Sequence, residues 1–377
     1  MDNWIEQAKQ KINLCTRPWT DLHIMENGNI TPCCLIHDYF YKGQIDKYFT
    51  KDNKYLEKLK SDFMANKKPA ICDTCWKTES GGLESHRTII SKKEFKDIHL
   101  RLSDKCNFKC FICSPLLSSA IRLEQFKDKT FTEVFADTEK LSSFIALIKD
   151  RQNLSLTMSG GEPFISGSHL KLLLTLIEAK QTRLELIYNS NLSTLSYKGF
   201  YLPDLWKNFN TVTVIGSCDG YGKPVEYSRL GFNWIKFEKH IKELYKAGIN
   251  LEINCVLSIF SVFTVPELLQ FAEKYNITVR INLVNGKEDI LSPKYLPQDF
   301  KSIISKKYSS FELEQPYNKD LLKRCIDFVF TDIPTNLAKE KLRLFKVTVL
   351  RKDKLHNINF IDYNPELKDL FEGIVVS

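Results

Sequence analysis

The sequence predicts an α/β protein: a partial (β/α)6 barrel, preceded by a small cysteine-rich domain and followed by an α+β extension. Three observations predict it. From residue 97 onward, six short aliphatic runs alternate with amphipathic stretches. Eight of the eleven cysteines lie within the first 113 residues. Apolar residues make up 43% of the 377-residue chain and charged residues 27%, the balance of a globular protein with a sizeable core.

Taken in order, residues 1–95 form the cysteine-rich domain. A glycine turn at Gly28, between the apolar run 22–25 and Ile30, predicts a hairpin with Cys15 before it and Cys33 at its end. Cys72-Asp73-Thr74-Cys75 supplies a Cys-x2-Cys pair, and residues 79–87 connect this domain to the barrel of residues 96–284. The candidate strands are 98–102, 154–158, 184–188, 211–215, 251–257 and 277–283, rich in β-branched and aliphatic residues as buried parallel strands are. Trp234, Phe237, Ile241 and Leu244 recur at helical spacing, and Gly248 supplies a stop. Thr264-Val265-Pro266-Glu267 reads as a capping box opening a helix that runs to Tyr275. In the extension, residues 285–377, a helix is expected over 318–328 and strands over 344–350 and 357–361; a cap over the open side of the barrel is its expected role.

The 54 basic and 46 acidic residues leave a net charge of +8, dispersed along the chain. That permits an anionic partner without showing the concentrated basic stripe of a nucleic-acid binder. No apolar run approaches the ~18 residues of a membrane span. The polar start at Met1-Asp2-Asn3-Trp4 does not read as a signal peptide, so a cytoplasmic protein is expected. In a reducing compartment, clustered cysteines point to metal or cluster binding rather than disulfides.

Cys106, Cys110 and Cys113 form the sharpest group, a Cys-x3-Cys-x2-Cys run on one short loop. Three thiolates can hold three irons of a cubane, leaving the fourth open to a small molecule. A three-cysteine zinc site is the alternative, although structural zinc takes four ligands. The second signal is Ser159-Gly160-Gly161-Glu162-Pro163, directly after a strand, where paired glycines allow close backbone approach.

Together these residues resemble the signature of radical SAM enzymes. The resemblance implies that Cys106, Cys110 and Cys113 hold a 4Fe–4S cluster whose open iron chelates S-adenosylmethionine, with Phe111 packing near the adenine. It implies that Gly160, Gly161 and Glu162 help seat the cofactor, and that a flavodoxin- or ferredoxin-type reductant supplies single electrons. Both motifs follow strands at their carboxyl ends, where parallel barrels place ligands. The same rule nominates Asn189, Ser190 and Asn191 after the third strand and Ser217, Cys218, Asp219 and Gly220 after the fourth, the last stretch being similar to the family's Ser-x-Asp-Gly. Arg229 is a candidate partner for the cofactor carboxylate, and Cys218 a candidate hydrogen donor to a product radical.

The amino-terminal cysteines resemble the twitch, or shortened SPASM, module, which implies a second 4Fe–4S cluster on Cys15, Cys33, Cys72 and Cys75. Cys34 is either surplus or a replacement for Cys33. In the better-known members this module follows the barrel; here it precedes it. A structural four-cysteine zinc ribbon is the alternative. The expected function is hydrogen abstraction from a peptide or protein side chain to be oxidised, crosslinked or epimerised. A second reading is dehydrogenation of a small polar alcohol of sugar or cyclitol type, and the rival from another class is a non-catalytic iron–sulfur or zinc protein. Cys255 and Cys325 read as packing residues.

Overall fold

The computed structural model describes residues 12–36, 41, 45–48, 50–80, 85, 87–88, 96–149, 154–284 and 286–375. The expected connector at 79–87 therefore lies partly outside the described residues. The chain divides into two compact units. The first holds the amino-terminal segment through Cys106 together with 116–189 and 195–213; the second holds 107–115, 190–194 and 214–377.

In the first unit, β1 (Leu22–Ile24) and β2 (Ile30–Thr31) form the expected hairpin, turned by Gly28 at φ 82°. Strand β1 also pairs in parallel with β3 (Lys96–Ser103), so the amino-terminal segment adds to the sheet. Then β3 pairs in parallel with β4 (Leu154–Gly160), and β4 with β5 (Glu185–Ser190). Side chains alternate across these strands. Ile98, Leu100, Leu102, Leu156, Met158, Leu186 and Tyr188 are buried on one face, the side of the apolar stripes of α3 (Thr138–Ile148) and α4 (Gly167–Glu178). The other face is polar: Asp97, His99, Thr157 and Glu185 lie on it, with Thr157 Oγ1 donating to Asp97 at 2.9 Å. Two further helices belong to the amino-terminal segment, α1 (Lys54–Met64) and α2 (Asp73–Ser80).

Strand β6 (Thr211–Ser217) begins in the first unit and ends in the second. In the second unit, β7 (Asn250–Leu257) pairs in parallel with β8 (Thr278–Leu283). Helix α5 (Trp234–Lys246) buries Trp234, Phe237, Ile241 and Leu244, as the spacing predicts. It ends in a Schellman turn: Gly248 N–H reaches Tyr245 O and Ile249 N–H reaches Leu244 O, with Gly248 at φ 71°. All six expected β/α units are present, β3 to β8 each leading into helix, and the barrel strands fall within a residue or two of their predicted bounds.

Two expectations are corrected. Helix α6 (Val265–Lys274) forms, but Thr264 does not cap it; its hydroxyl accepts from Tyr221 N–H at 3.1 Å and donates to Ser261 O instead. The carboxyl-terminal extension is helical rather than α+β among the described residues: α7 (Gln298–Ser309), α8 (Pro316–Val329), α9 (Thr335–His356) and α10 (Phe360–Tyr363). The stretch 344–350 alternates like a strand, yet Leu342, Phe345 and Val349 make a buried stripe at helical spacing within a 22-residue helix. Asn357 ends α9 in the left-handed region at φ 52°, and Asn359 then caps α10 by accepting from Ile361 N–H. Among the described residues no helix is long and apolar enough to cross a membrane.

Candidate functional site

The boundary between the units falls between Cys106 and Asn107, so the cysteine loop is described from each side. In the first unit, the backbone entering the loop is fixed by the end of β4. Gly161 N–H donates to Ser103 O at 2.7 Å, and Glu162 N–H donates to Lys105 O at 2.8 Å. A Cβ on Gly160 would stand 2.2 Å from Ser103 O, and one on Gly161 2.2 Å from Lys105 O. The space that each glycine leaves open is therefore taken by the residues preceding Cys106. Glu162 is buried and caps the next turn, its carboxylate accepting from Phe164 N–H at 3.1 Å.

Three residues that the sequence did not flag complete this anchor. Asp104 accepts from Thr132 N–H at 2.8 Å and pairs with Arg122 at 2.8 Å. Ser119 accepts from Cys106 N–H at 3.1 Å and donates back to Cys106 O. Only the proximity of Asp104 to the cysteines signalled it; nothing local marked Ser119 or Arg122.

In the second unit, residues 109–110 pair antiparallel with 229–230, placing Arg229 opposite Cys110. Phe111 N–H donates to Ser228 O at 2.7 Å. Arg229 Nε and Nη2 grip Asp219 at 2.8 and 3.0 Å, and Nη1 lies 3.8 Å from Cys110 Sγ. Asp219 also accepts from Val256 N–H at 3.0 Å. The guanidinium fork expected to receive the cofactor carboxylate is therefore filled by Asp219, a buried carboxyl group that accepts from Arg229 and Val256 and is not exposed. Burial pushes the Cys110 thiol up to about 11, with Arg229 opposing. Burial also raises Cys113, which Arg229 and Lys352 oppose.

Phe111 packs 4.9 Å from Phe260 and 6.2 Å from Tyr227, ring centre to ring centre, with Lys352 Nζ 5.6 Å above it. Asn191, nominated together with Asn189, donates to Asn107 Oδ1 at 3.0 Å and thereby braces the loop; Asn189 is half-buried at the end of β5. Ser217 is half-buried at the end of β6. Cys218 is fully buried, raised by burial, and donates to Gly220 O at 3.1 Å. That is the setting of a packing thiol, not of a hydrogen donor facing a ligand.

The amino-terminal cysteines come together from three segments. Leu14, Leu59 and Phe63 form a small core against which Cys15, Cys72 and Trp76 pack. Cys15, Cys33, Cys72 and Cys75 border one cavity, with Arg17 and Arg87; Cys34 is not among its lining residues. Burial pushes Cys15 and Cys72 up to about 12, and the neighbouring thiols Cys33 and Cys75 push the same way. Cys34 differs: hydrogen bonding with the Cys33 thiol brings it down to about 7, aided by Arg17. Arg87 ties the segments together, donating to Leu14 O at 2.7 Å and Ile12 O at 3.1 Å, pairing with Glu79, and lying 4.7 Å above the Trp76 ring. Among the described residues no group of three or more His, Cys, Asp or Glu side chains closes around a single ion. The cavity offers four soft sulfur donors and two buried cations, a donor set that fits an anionic iron–sulfur cluster.

Among known proteins, no family profile matches the chain and no curated protein does. It is similar to the structure of anSMEcpe with bound AdoMet and a Cp18Cys peptide, at 17% identity and a TM-score of 0.40, over 56% of this chain and 58% of that one. It is also similar to Streptococcus suis SuiB bound to precursor peptide SuiA, at 14% identity and a TM-score of 0.41, over 70% of this chain and 58% of that one. The chain thus spans less than two thirds of either. The functional reading rests on the chain's own residues.

Proposed function

We propose that the protein is a radical SAM enzyme with an auxiliary cluster. The reading is carried by one observation: two motifs more than fifty residues apart meet, the Gly160-Gly161 turn being hydrogen-bonded to the residues that lead into Cys106. Cys106, Cys110 and Cys113 would hold a 4Fe–4S cluster with one iron left for S-adenosylmethionine. When bound, that cluster supplies reductive cleavage of the sulfonium to methionine and a 5′-deoxyadenosyl radical.

The chain's own contributions are to position and to tune. Gly160, Gly161, Ser119 and Asp104 fix the backbone up to Cys106; Arg229, Asn191 and the 229–230 pairing fix the residues after it. Arg229 places a proton donor against the Cys110 sulfur, which stabilises negative charge there. Phe111, within the loop, packs its ring against Phe260 and Tyr227. Cys15, Cys33, Cys72 and Cys75 would ligate all four irons of a second cluster, suited to accept an electron from a substrate radical rather than to bind substrate. The substrate class is a peptide or protein side chain, oxidised, crosslinked or epimerised.

The test is direct. Anaerobically reconstituted protein, given S-adenosylmethionine and dithionite, forms 5′-deoxyadenosine detectable by mass spectrometry, and Cys106→Ala does not. Equal product from both proteins, or none from either, rejects the reading.

A further inference from the structure

Charges that look dispersed in sequence gather once residues 335–356 are a helix. The inner face of α9 is buried through Leu342, Phe345 and Val349. On the opposite face, Lys339, Arg343, Val347, Leu350, Arg351 and Lys354 recur at intervals of three and four and are all exposed. Val347, Leu350 and neighbouring Leu355 are 39%, 45% and 55% exposed, so the face is an aliphatic strip rimmed by four basic side chains. The helix's other cations are engaged elsewhere: Lys341 faces Asp289, Lys346 donates to Ile374 O, and Lys352 lies over Phe111. Of its two acids, Asp353 accepts from Tyr227 Oη at 2.8 Å, leaving Glu340 as the exposed one.

The position of this face matters as much as its charge. Arg351 and Lys354 flank Lys352 and Asp353, the pair through which the last turns of α9 meet Phe111 and Tyr227. The outward face therefore ends next in sequence to Lys352, whose side chain reaches Phe111 in the loop carrying Cys110 and Cys113.

We propose that the outward face of α9 docks an acidic one-electron carrier protein, which delivers its electron at the Cys110–Cys113 loop. This rests on the radical SAM reading above. The step is a single electron transfer: the carrier's reduced cofactor is oxidised by one electron and the cluster is reduced by one, with no bond made or broken. Electron-transfer encounters use small patches and depend on charge to steer them. A modest apolar strip inside a basic rim fits that use. The face has no aromatic side chain of the kind that anchors helices in a membrane interface.

The experiment compares two reductants on the full reconstituted chain, reading 5′-deoxyadenosine. One is a reduced flavodoxin; the other is dithionite, which needs no docking surface. For Arg343→Glu/Arg351→Glu/Lys354→Glu, the flavodoxin-driven rate is expected to fall by about tenfold or more while the dithionite-driven rate holds. Independently of any variant, the wild-type flavodoxin rate should fall steeply with added salt and the dithionite rate should not. An unchanged flavodoxin rate in the variant, or a salt-insensitive one in the wild type, overturns the proposal. So does wild-type cosedimentation with phosphatidylserine vesicles that the reversals abolish without slowing flavodoxin-driven turnover. Absence of product with dithionite in the wild type rejects the underlying functional reading instead.

Discussion

The two cysteine regions solve one problem in opposite ways. Cys106, Cys110 and Cys113 lie on eight consecutive residues, so their proximity is local and the fold need only hold the loop still. Cys15, Cys33, Cys72 and Cys75 span sixty-one residues, and their proximity depends on a hairpin, a two-helix core and Arg87 bridging back to Leu14. The electrostatics are alike: Arg229, beside the triplet, is paired with Asp219, and in the wall of the four-cysteine cavity Arg17 is paired with Asp21 and Arg87 with Glu79. On the proposed reading, three donors would leave a metal corner for a ligand and four would close a site. On that reading openness would follow from ligand number and not from exposure, since Cys110 is buried.

The largest expected effect separates the regions outright. Cys110→Ala should lose about half the iron of a two-cluster protein, leaving about four atoms per chain, and all 5′-deoxyadenosine formation. Cys72→Ala should lose the other half yet keep substrate-independent cleavage of S-adenosylmethionine. If Cys72→Ala also abolishes cleavage, the division of labour is broken.

Next in size is Asp219→Ala, which strands a buried guanidinium. It should cost about 3–5 kcal/mol in denaturant unfolding, whereas Arg87→Lys, which keeps the charge at the other region, should cost less. Gly161→Ala sets a methyl against Lys105 O. Overpacking of this kind costs about 1–3 kcal/mol. Its signature should be regional, with iron lost from the triplet and retained by the amino-terminal site. The smallest effect is electronic. Arg17→Gln removes a buried cation beside Cys33 and Cys34, so the second cluster's midpoint potential should fall by tens of millivolts while the triplet cluster's stays put. Redox titration followed by EPR reads both.

Much of this was legible in the sequence. The barrel strands were, because short apolar runs bounded by turns leave few alternatives. Arg229 was singled out because a guanidinium matches a carboxylate, but the carboxylate it holds, Asp219, was not foreseen. Nothing in the spacing of Asp219 and Arg229 shows that the carboxylate fills the fork and that the third nitrogen faces Cys110. The strand expectation over 344–350 failed for a complementary reason: Lys346, Val347, Thr348 and Val349 satisfy a period of two locally, and only the longer stripe through Leu342, Phe345 and Val349 decides for helix. That error also concealed the basic face, since a period of two scatters residues that a helix aligns. The capping box at Thr264 failed because tertiary structure claimed its hydroxyl for Tyr221.

The measurement closest to the central claim is low-temperature EPR of the reduced, reconstituted protein before and after S-adenosylmethionine is added. The cofactor should perturb one cluster's signal only: the signal absent from Cys106→Ala and preserved in Cys72→Ala. An added cofactor that perturbs neither signal, or only the one lost in Cys72→Ala, would contradict an open metal corner at the loop of Cys106, Cys110 and Cys113.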